Sequence, residues 1–166
     1  MKAVCVNLHA TCLRIGAASA PFGASPYGGV LLLGRSGTGK SDLALRLIAA
    51  GAELVADDRV ELFVSQRHLC ARPPTRIAGL LEARGVGVIE LPFAEVARVV
   101  LVVELGKKVE RLPKPLRFGP PGLRLPVSAQ PPLVRIASRE ASAPAKIAAA
   151  VAAFELRLLR NSAKSV

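Results

Sequence analysis

A chain of 166 residues, 51% of them hydrophobic, has the length for one domain with a buried core, and no uninterrupted apolar run approaches the roughly 18 to 20 residues that cross a bilayer. Lysine and arginine number 23 against 12 acids, a formal net charge of +11, so an acidic partner or substrate is expected beside an ordinary solvated basic surface. Aromatic residues are too few (five Phe, one Tyr, no Trp) to build a stacking platform for single strands, and the three cysteines argue against a disulfide frame or a zinc site.

The first twenty residues loosely imitate a secretion signal, with Lys2 and Ala18-Ser19-Ala20, but Asn7, His9 and Arg14 break the apolar run. Cys5, Cys12 and Cys70 lack Cys-x-x-Cys spacing and read as reduced thiols packed as small hydrophobes, which also points to the cytoplasm. Val4, Val6, Leu8, Ala10 and Cys12, continued by Leu13 and Ile15 after a change of face, predict a strand that carries His9. A Gly/Ala/Ser/Pro-rich segment over 16–29 then turns the chain into the buried strand Val30 to Leu33. The resulting long hairpin is expected to lay the His9 strand beside that strand.

Next comes Gly34-Arg35-Ser36-Gly37-Thr38-Gly39-Lys40-Ser41, between the strand and a helical pattern over 42–50. This is a P-loop in the strand-to-helix context it needs. Gly34, Gly37 and Gly39 let the backbone turn its N–H groups inward around phosphate, and the following helix adds its N-terminal dipole. Lys40 is placed for the β and γ phosphates of ATP, and the Ser41 hydroxyl for Mg²⁺.

Gly51 is expected to end that helix as a left-handed cap. Glu53 to Ala56 then predicts a short strand, parallel to the P-loop strand, whose carboxyl end delivers Asp57 and Asp58 to the γ-phosphate. A hairpin over 60–64 and 68–71 follows, turning at Ser65-Gln66-Arg67; residues 77–89 predict a short turn or helix leading through glycines into a strand. Ala97 to Leu105, nearly all apolar, predicts a central strand. Prolines recur from Glu110 to Pro132, so loops are expected there around one strand at Leu123 to Val127. Ser142 is placed to cap a last helix with Pro144 in its first turn, Ile147, Val151, Phe154 and Leu158 on one face, and Arg157 and Arg160 at its end. The expected organisation is one α/β domain over 1–160 with a mixed sheet, and a fraying tail over 161–166.

A kinase needs a base for the acceptor hydroxyl and carboxylate support for its metal. Asp57 and Asp58 are candidates for the base, because adjacent carboxylates disfavour joint ionisation. Glu82 is the further acid available to Mg²⁺, whereas Asp42 reads as a first-turn dipole residue. Taken bare, His9 reads as a satisfied core histidine and Arg111 as a solvated charge.

The order His9, Gly34 to Ser41, Leu54-Val55-Ala56-Asp57-Asp58 and Leu80-Leu81-Glu82-Ala83-Arg84-Gly85-Val86-Gly87 resembles the catalytic domain of HPr kinase/phosphorylase, a bacterial regulator of the phosphotransferase system. The resemblance runs from His9 to the last helix, and its most specific parts are Val-Ala-Asp-Asp and Leu-Glu-x-Arg-Gly-x-Gly. It implies a P-loop kinase fold and transfer of the γ-phosphoryl of ATP to a serine of the carrier HPr. It implies Asp58 as the residue that takes the serine proton and Asp57 as orienting or sharing that role. Ser41 and Glu82 match its magnesium ligands, Lys40 its phosphate lysine, His9 a histidine that supports the carboxylate, and Arg111 a catalytic arginine. A homo-oligomer is expected from the family and the apolar last helix.

Departures from the family pattern are also visible. Long members carry a further N-terminal domain, so the sequence resembles the short form; the segment before the P-loop is longer than usual, and Arg35 stands where an acid is common. Near Val134 to Arg139 the family's phosphorylase motif is degraded, so kinase activity with weak or absent phosphorolysis is expected. The competing readings are a P-loop kinase of a small metabolite, with the Pro-rich stretch as lid, and a non-catalytic nucleotide-dependent regulator or basic nucleic-acid module. A pure binding module has no use for Asp58 and Glu82 together.

Overall fold

The computed structural model describes residues 4–16, 28–106 and 108–159. Of the expected turn over 16–29, residues 17–27 lie outside the described residues, as do Arg160 and the fraying tail, while Gly28 and Gly29 already belong to a strand. The described residues form eleven strands and two helices in the order β1 (Cys5–His9), β2 (Thr11–Ile15), β3 (Gly28–Leu33), α1 (Lys40–Ala49), β4 (Glu53–Ala56), β5 (Arg59–Ser65), β6 (His68–Arg72), β7 (Leu80–Ala83), β8 (Gly87–Glu90), β9 (Ala97–Leu105), β10 (Leu116–Arg117), β11 (Pro132–Ile136) and α2 (Ala143–Glu155).

A mixed sheet of nine strands has the order β1-β5-β6-β9-β3-β2-β4, with β11 pairing β9 and β10 pairing β11. At its centre β3 runs parallel to β9, Leu31 opposite Val102, and antiparallel to β2, Cys12 opposite Leu31. Both are near-continuous apolar runs because the sheet is covered on both faces there. On one face α1 and α2 pack Leu43, Leu47, Ile147 and Val151 against Leu32, Leu54 and Leu101. On the other, the curl of the sheet brings Val60, Leu62 and Leu69 over Cys12, Leu31 and Val102. Leu31, Leu43 and Leu62 are fully buried, each contributing roughly 1.5–3 kcal/mol over its exposed state.

The expected first strand is two strands. It breaks at Ala10, and β1 pairs antiparallel with β5 (His9 opposite Arg59) while β2 pairs antiparallel with β4 (Cys12 opposite Ala56). The chain over 5–15 thus runs alongside the chain over 53–63, both stepping between the two halves of the sheet at one level. That step is where Asp57 and Asp58 lie. The expected hairpin with the P-loop strand is made by β2, and the His9 strand sits at the far end of the sheet order instead. β4 runs in the direction of β3, as expected, with β2 between them.

The β5–β6 hairpin turns at Gln66-Arg67, where both residues take positive φ (47° and 63°), the twist that suits a two-residue hairpin turn. A 3-10 turn over Thr75–Ile77 leads in and β8 is the expected strand after the glycines, but Leu80–Ala83 is itself a strand, so 80–90 form a separate hairpin, β7–β8. No strand forms over 123–127: the chain there runs as loop into a 3-10 turn over Val127–Ala129, since Pro120 and Pro126 lack the N–H a ladder requires. The strands of this region are β10 and β11, Pro132 being tolerated as the first residue of its strand.

Ser142 occupies the position before α2 but makes no side-chain cap. The helix starts through Ala143 N–H to Glu140 C=O at 3.0 Å and Lys146 N–H to Ser142 C=O at 2.9 Å. It ends at Glu155, so Leu158 is 55% exposed beyond it and does not extend the apolar face. Cys12 and Cys70 are buried, but Cys5 is exposed and is not a core hydrophobe. No helix among the described residues is long and apolar enough to cross a membrane.

Candidate active site

The loop between β3 and α1 curls through two left-handed glycines, Gly37 (φ 80°) and Gly39 (φ 89°). Side chains at these angles would be strained, which is why the loop carries glycine there. Thr38 closes the curl by donating N–H (3.2 Å) and Oγ1–H (2.8 Å) to the Arg35 carbonyl, and α1 begins directly behind it. Lys40, in the first turn, is 7% exposed. Its ammonium donates to the carbonyls of Gly34 at 2.7 Å and Arg35 at 3.1 Å and lies 3.2 Å from His9 Nε2. Burial pushes its pKa down from the ordinary lysine value, against the opposing pull of Asp57 and Asp58.

Asp57 and Asp58 are adjacent in sequence and opposite in environment. Asp57 is 4% exposed and accepts hydrogen bonds from Thr11 Oγ1 (2.7 Å) and from Ser41 Oγ (3.0 and 3.1 Å to its two oxygens). Asp58 takes a left-handed backbone (φ 65°), which turns the next carboxylate the other way, and its side chain is 71% exposed. Its carbonyl accepts from Ala10 N–H at 3.3 Å and from His9 Nδ1 at 2.9 Å, and its carboxylate lies 3.3 Å from the same nitrogen. This partner set fits a His9 that donates from Nδ1 and accepts from Lys40 at Nε2. His9 therefore spans the gap between the P-loop lysine and the outward carboxylate.

A cavity of about 490 Å³ opens over these groups. Strand alternation puts Leu81 and Ala83 into the core and turns Glu82 outward onto the cavity wall, with Arg84 beyond it in the hairpin turn. The Glu82 N–H points to Asp57 Oδ2 at 3.4 Å. Of the residues expected at the site, His9, Ser36, Gly37, Gly39, Lys40, Ser41, Asp57, Asp58 and Glu82 line this cavity together. Gly34, Arg35 and Thr38 form the back of the loop, and Arg111 lies in an exposed bend and does not line it.

Arg139 lines the cavity and was not singled out from the sequence. The turn that carries it is fastened to the P-loop and α1. Ser138 Oγ donates to Thr38 C=O at 2.5 Å, and Arg46 donates to the carbonyls of Ser138 and, at 3.1 Å, Glu140. In the sequence Arg139 figures only as the end of the degraded segment Val134 to Arg139; its place at the cavity comes from the contact with the loop.

For a divalent cation, the donors on hand are the hydroxyl of Ser41 and the carboxylates of Asp57 and Glu82, hard oxygens of the kind Mg²⁺ takes. Among the described residues no three His, Cys, Asp or Glu side chains form a closed cage.

The profile described as HPr Serine kinase C-terminal domain matches residues 26–109. The chain is 46% identical over 99 residues to the HPr kinase/phosphorylase of Leptothrix cholodnii, covering 51% of this chain and 30% of that protein. It is 43% identical over 100 residues to that of Caldicellulosiruptor bescii, covering 52% and 32%. The matched segment thus spans about a third of the length of these relatives. In fold, the chain is similar to the Hpr(Ser) kinase/phosphatase from Coxiella burnetii, with a TM-score of 0.68 over 92% of this chain and 98% of that one, at 24% identity.

Proposed function

The chain belongs to the family of the HPr serine kinase C-terminal domain, and on that premise we propose that it is a kinase that uses ATP and Mg²⁺ to phosphorylate a serine of the carrier protein HPr. The observation that carries the proposal is the line of groups from Lys40 through His9 to Asp58, set beside the buried pair Ser41–Asp57. One end of that line suits phosphate and the other a hydroxyl.

The P-loop amides and Lys40 bind the β and γ phosphates, and the loop's position at the start of α1 adds the helix dipole. Ser41, Asp57 and Glu82 would hold Mg²⁺, which when bound would offset charge on the phosphates. Asp57, buried and occupied by Thr11 and Ser41, serves this side of the site and does not share the base role. Asp58, exposed and free of hydroxyl donors among the described residues, faces the acceptor. Its carboxylate accepts the serine proton as the oxygen attacks, and His9 holds that carboxylate in orientation. Arg84 and Arg139 add fixed positive charge at the cavity wall, where the transferring group spreads its own. The role of Arg111 rests on the family resemblance alone. Phosphorolysis is weak or absent, a reading supported by the degraded segment Val134 to Arg139.

Intact mass of HPr after incubation with the protein and Mg-ATP tests this. One added phosphate on a serine is expected, with the rate falling about 10²- to 10⁴-fold in Asp58→Asn while nucleotide affinity holds. No added mass from a protein that binds ATP would refute the assignment. Strong release of pyrophosphate from phosphorylated HPr would refute the phosphorolysis part.

A further inference from the structure

A second cavity shares no lining residue with the first. It is a cleft of about 840 Å³ between the β5–β6 turn, the start of β9, β10, the turn at 127–130 and the end of α2. Arg67, Arg98, Arg117 and Arg157 line it, and Glu155 is the one acid among its lining residues.

Five cations of the described residues pair with acids (Arg14 with Glu53, Arg46 with Asp42, Arg72 with Glu61, Arg135 with Glu104, Lys146 with Glu140), and others, such as Arg76 and Arg124, stand singly; what sets the cleft apart is that four arginines converge on one opening. Among the described residues, none of the four cleft arginines forms an ion pair. Arg117 is braced by donating from Nη1 to Gln130 C=O at 2.6 Å, and Gln130 is braced in turn through Nε2 to Leu125 C=O at 3.2 Å. Charges of one sign around one cleft repel each other, and a multiply charged anion relieves that repulsion.

We propose that this cleft docks an acidic segment of a partner protein, its carboxylates on the four arginines and an apolar side chain on the half-buried wall of Val100, Pro132 and Phe154. The exposure of all four arginines selects a segment over a small anion, because small-molecule sites bury most of their ligand. Arginine around an apolar centre is also the composition of a protein interface. Among the lining residues, Phe154 and His68 are the rings on which a nucleic acid could stack, too few for a platform. The proposal stands apart from the phosphoryl-transfer reading, since the two cavities have no residue in common.

The test is fluorescence polarisation of a labelled ten-residue peptide alternating Glu and Leu, titrated with the full chain. Saturable binding that weakens with salt is expected. Arg98→Glu with Arg157→Glu should lose at least about tenfold in affinity, and the milder Arg98→Gln with Arg157→Gln an intermediate amount. Reversal of two exposed arginines outside the cleft, Arg76→Glu with Arg124→Glu, should change affinity less than about twofold. Nucleotide affinity should hold in all three. Equal losses from both reversed pairs would reduce the effect to general attraction and overturn the proposal. So would an absence of saturable binding, full displacement by stoichiometric inorganic tripolyphosphate, or tighter binding of a DNA duplex through the same arginines.

Discussion

The P-loop cavity and the arginine cleft belong to one chain of net charge +11, yet the first is close to neutral and the second is not. Around the P-loop, Lys40, Arg84 and Arg139 face Asp42, Asp57, Asp58 and Glu82. Around the cleft four arginines face Glu155. A site proposed to hold anion, cation and base together interleaves its charges so that each is oriented by another, as Lys40, His9 and Asp58 are. A surface that only has to attract can leave its charges unopposed. The basic excess of the sequence is therefore a poor guide to where phosphate binds.

The sharpest way to break this comparison is to exchange consequences between the two regions. Lys40→Ala should weaken nucleotide binding by about a hundredfold, as expected for a buried cation that faces phosphate, and leave peptide binding in the cleft unchanged. Titration calorimetry with a non-hydrolysable ATP analogue measures it, and a comparable loss from the cleft variants would erase the distinction. A smaller effect comes from the support beneath the site. Thr11→Val removes a hydroxyl from buried Asp57 and should lower stability by about 1–3 kcal/mol in urea denaturation, whereas a variant of an exposed cleft arginine should stay within about 0.5 kcal/mol.

The mildest effect is one of pH. On the proposed reading Lys40 meets phosphate as the ammonium, and burial lowers its pKa from 10.5. Raising the pH through that lowered value removes the charge, so nucleotide affinity should begin to fall below pH 10.5 and approach a tenfold loss per unit beyond it. Cleft arginines keep their charge over the same range, and peptide binding should not follow.

Much of this was legible in sequence wherever local chemistry decides the structure. The P-loop, the apolar run of β9 and the Gln66-Arg67 turn each announce themselves because glycine, apolar continuity and hairpin geometry act over a few residues. The signature around Glu82 was legible as a motif but not as a hairpin: glycines at 85 and 87 with positive φ signal a turn without saying what flanks it. What stayed hidden depends on distant partners. An alternation from Val4 to Ile15 cannot say that Ala10 divides it between β5 and β4. Nor could two adjacent aspartates reveal that one is buried under Thr11 and the other turned out by a left-handed backbone. Arg139 was named only as the end of a degraded motif, and its place at the cavity was hidden because it depends on Ser138 reaching a carbonyl one hundred positions away.

The step at Ala10 also bears on when the site comes into being. His9 meets Asp58 across 49 positions, Thr11 meets Asp57 across 46, and Lys40 meets His9 across 31. Contacts of that separation form after the chain has given up loop-closure entropy, and they set the pace of folding. A molecule with its P-loop formed but this seam still open has Lys40 and Ser41 without the carboxylates that would make them chemically competent. On the proposed reading, the residues of the site assemble only once the two halves of the sheet have joined, so nucleotide turnover would double as a readout of that joining.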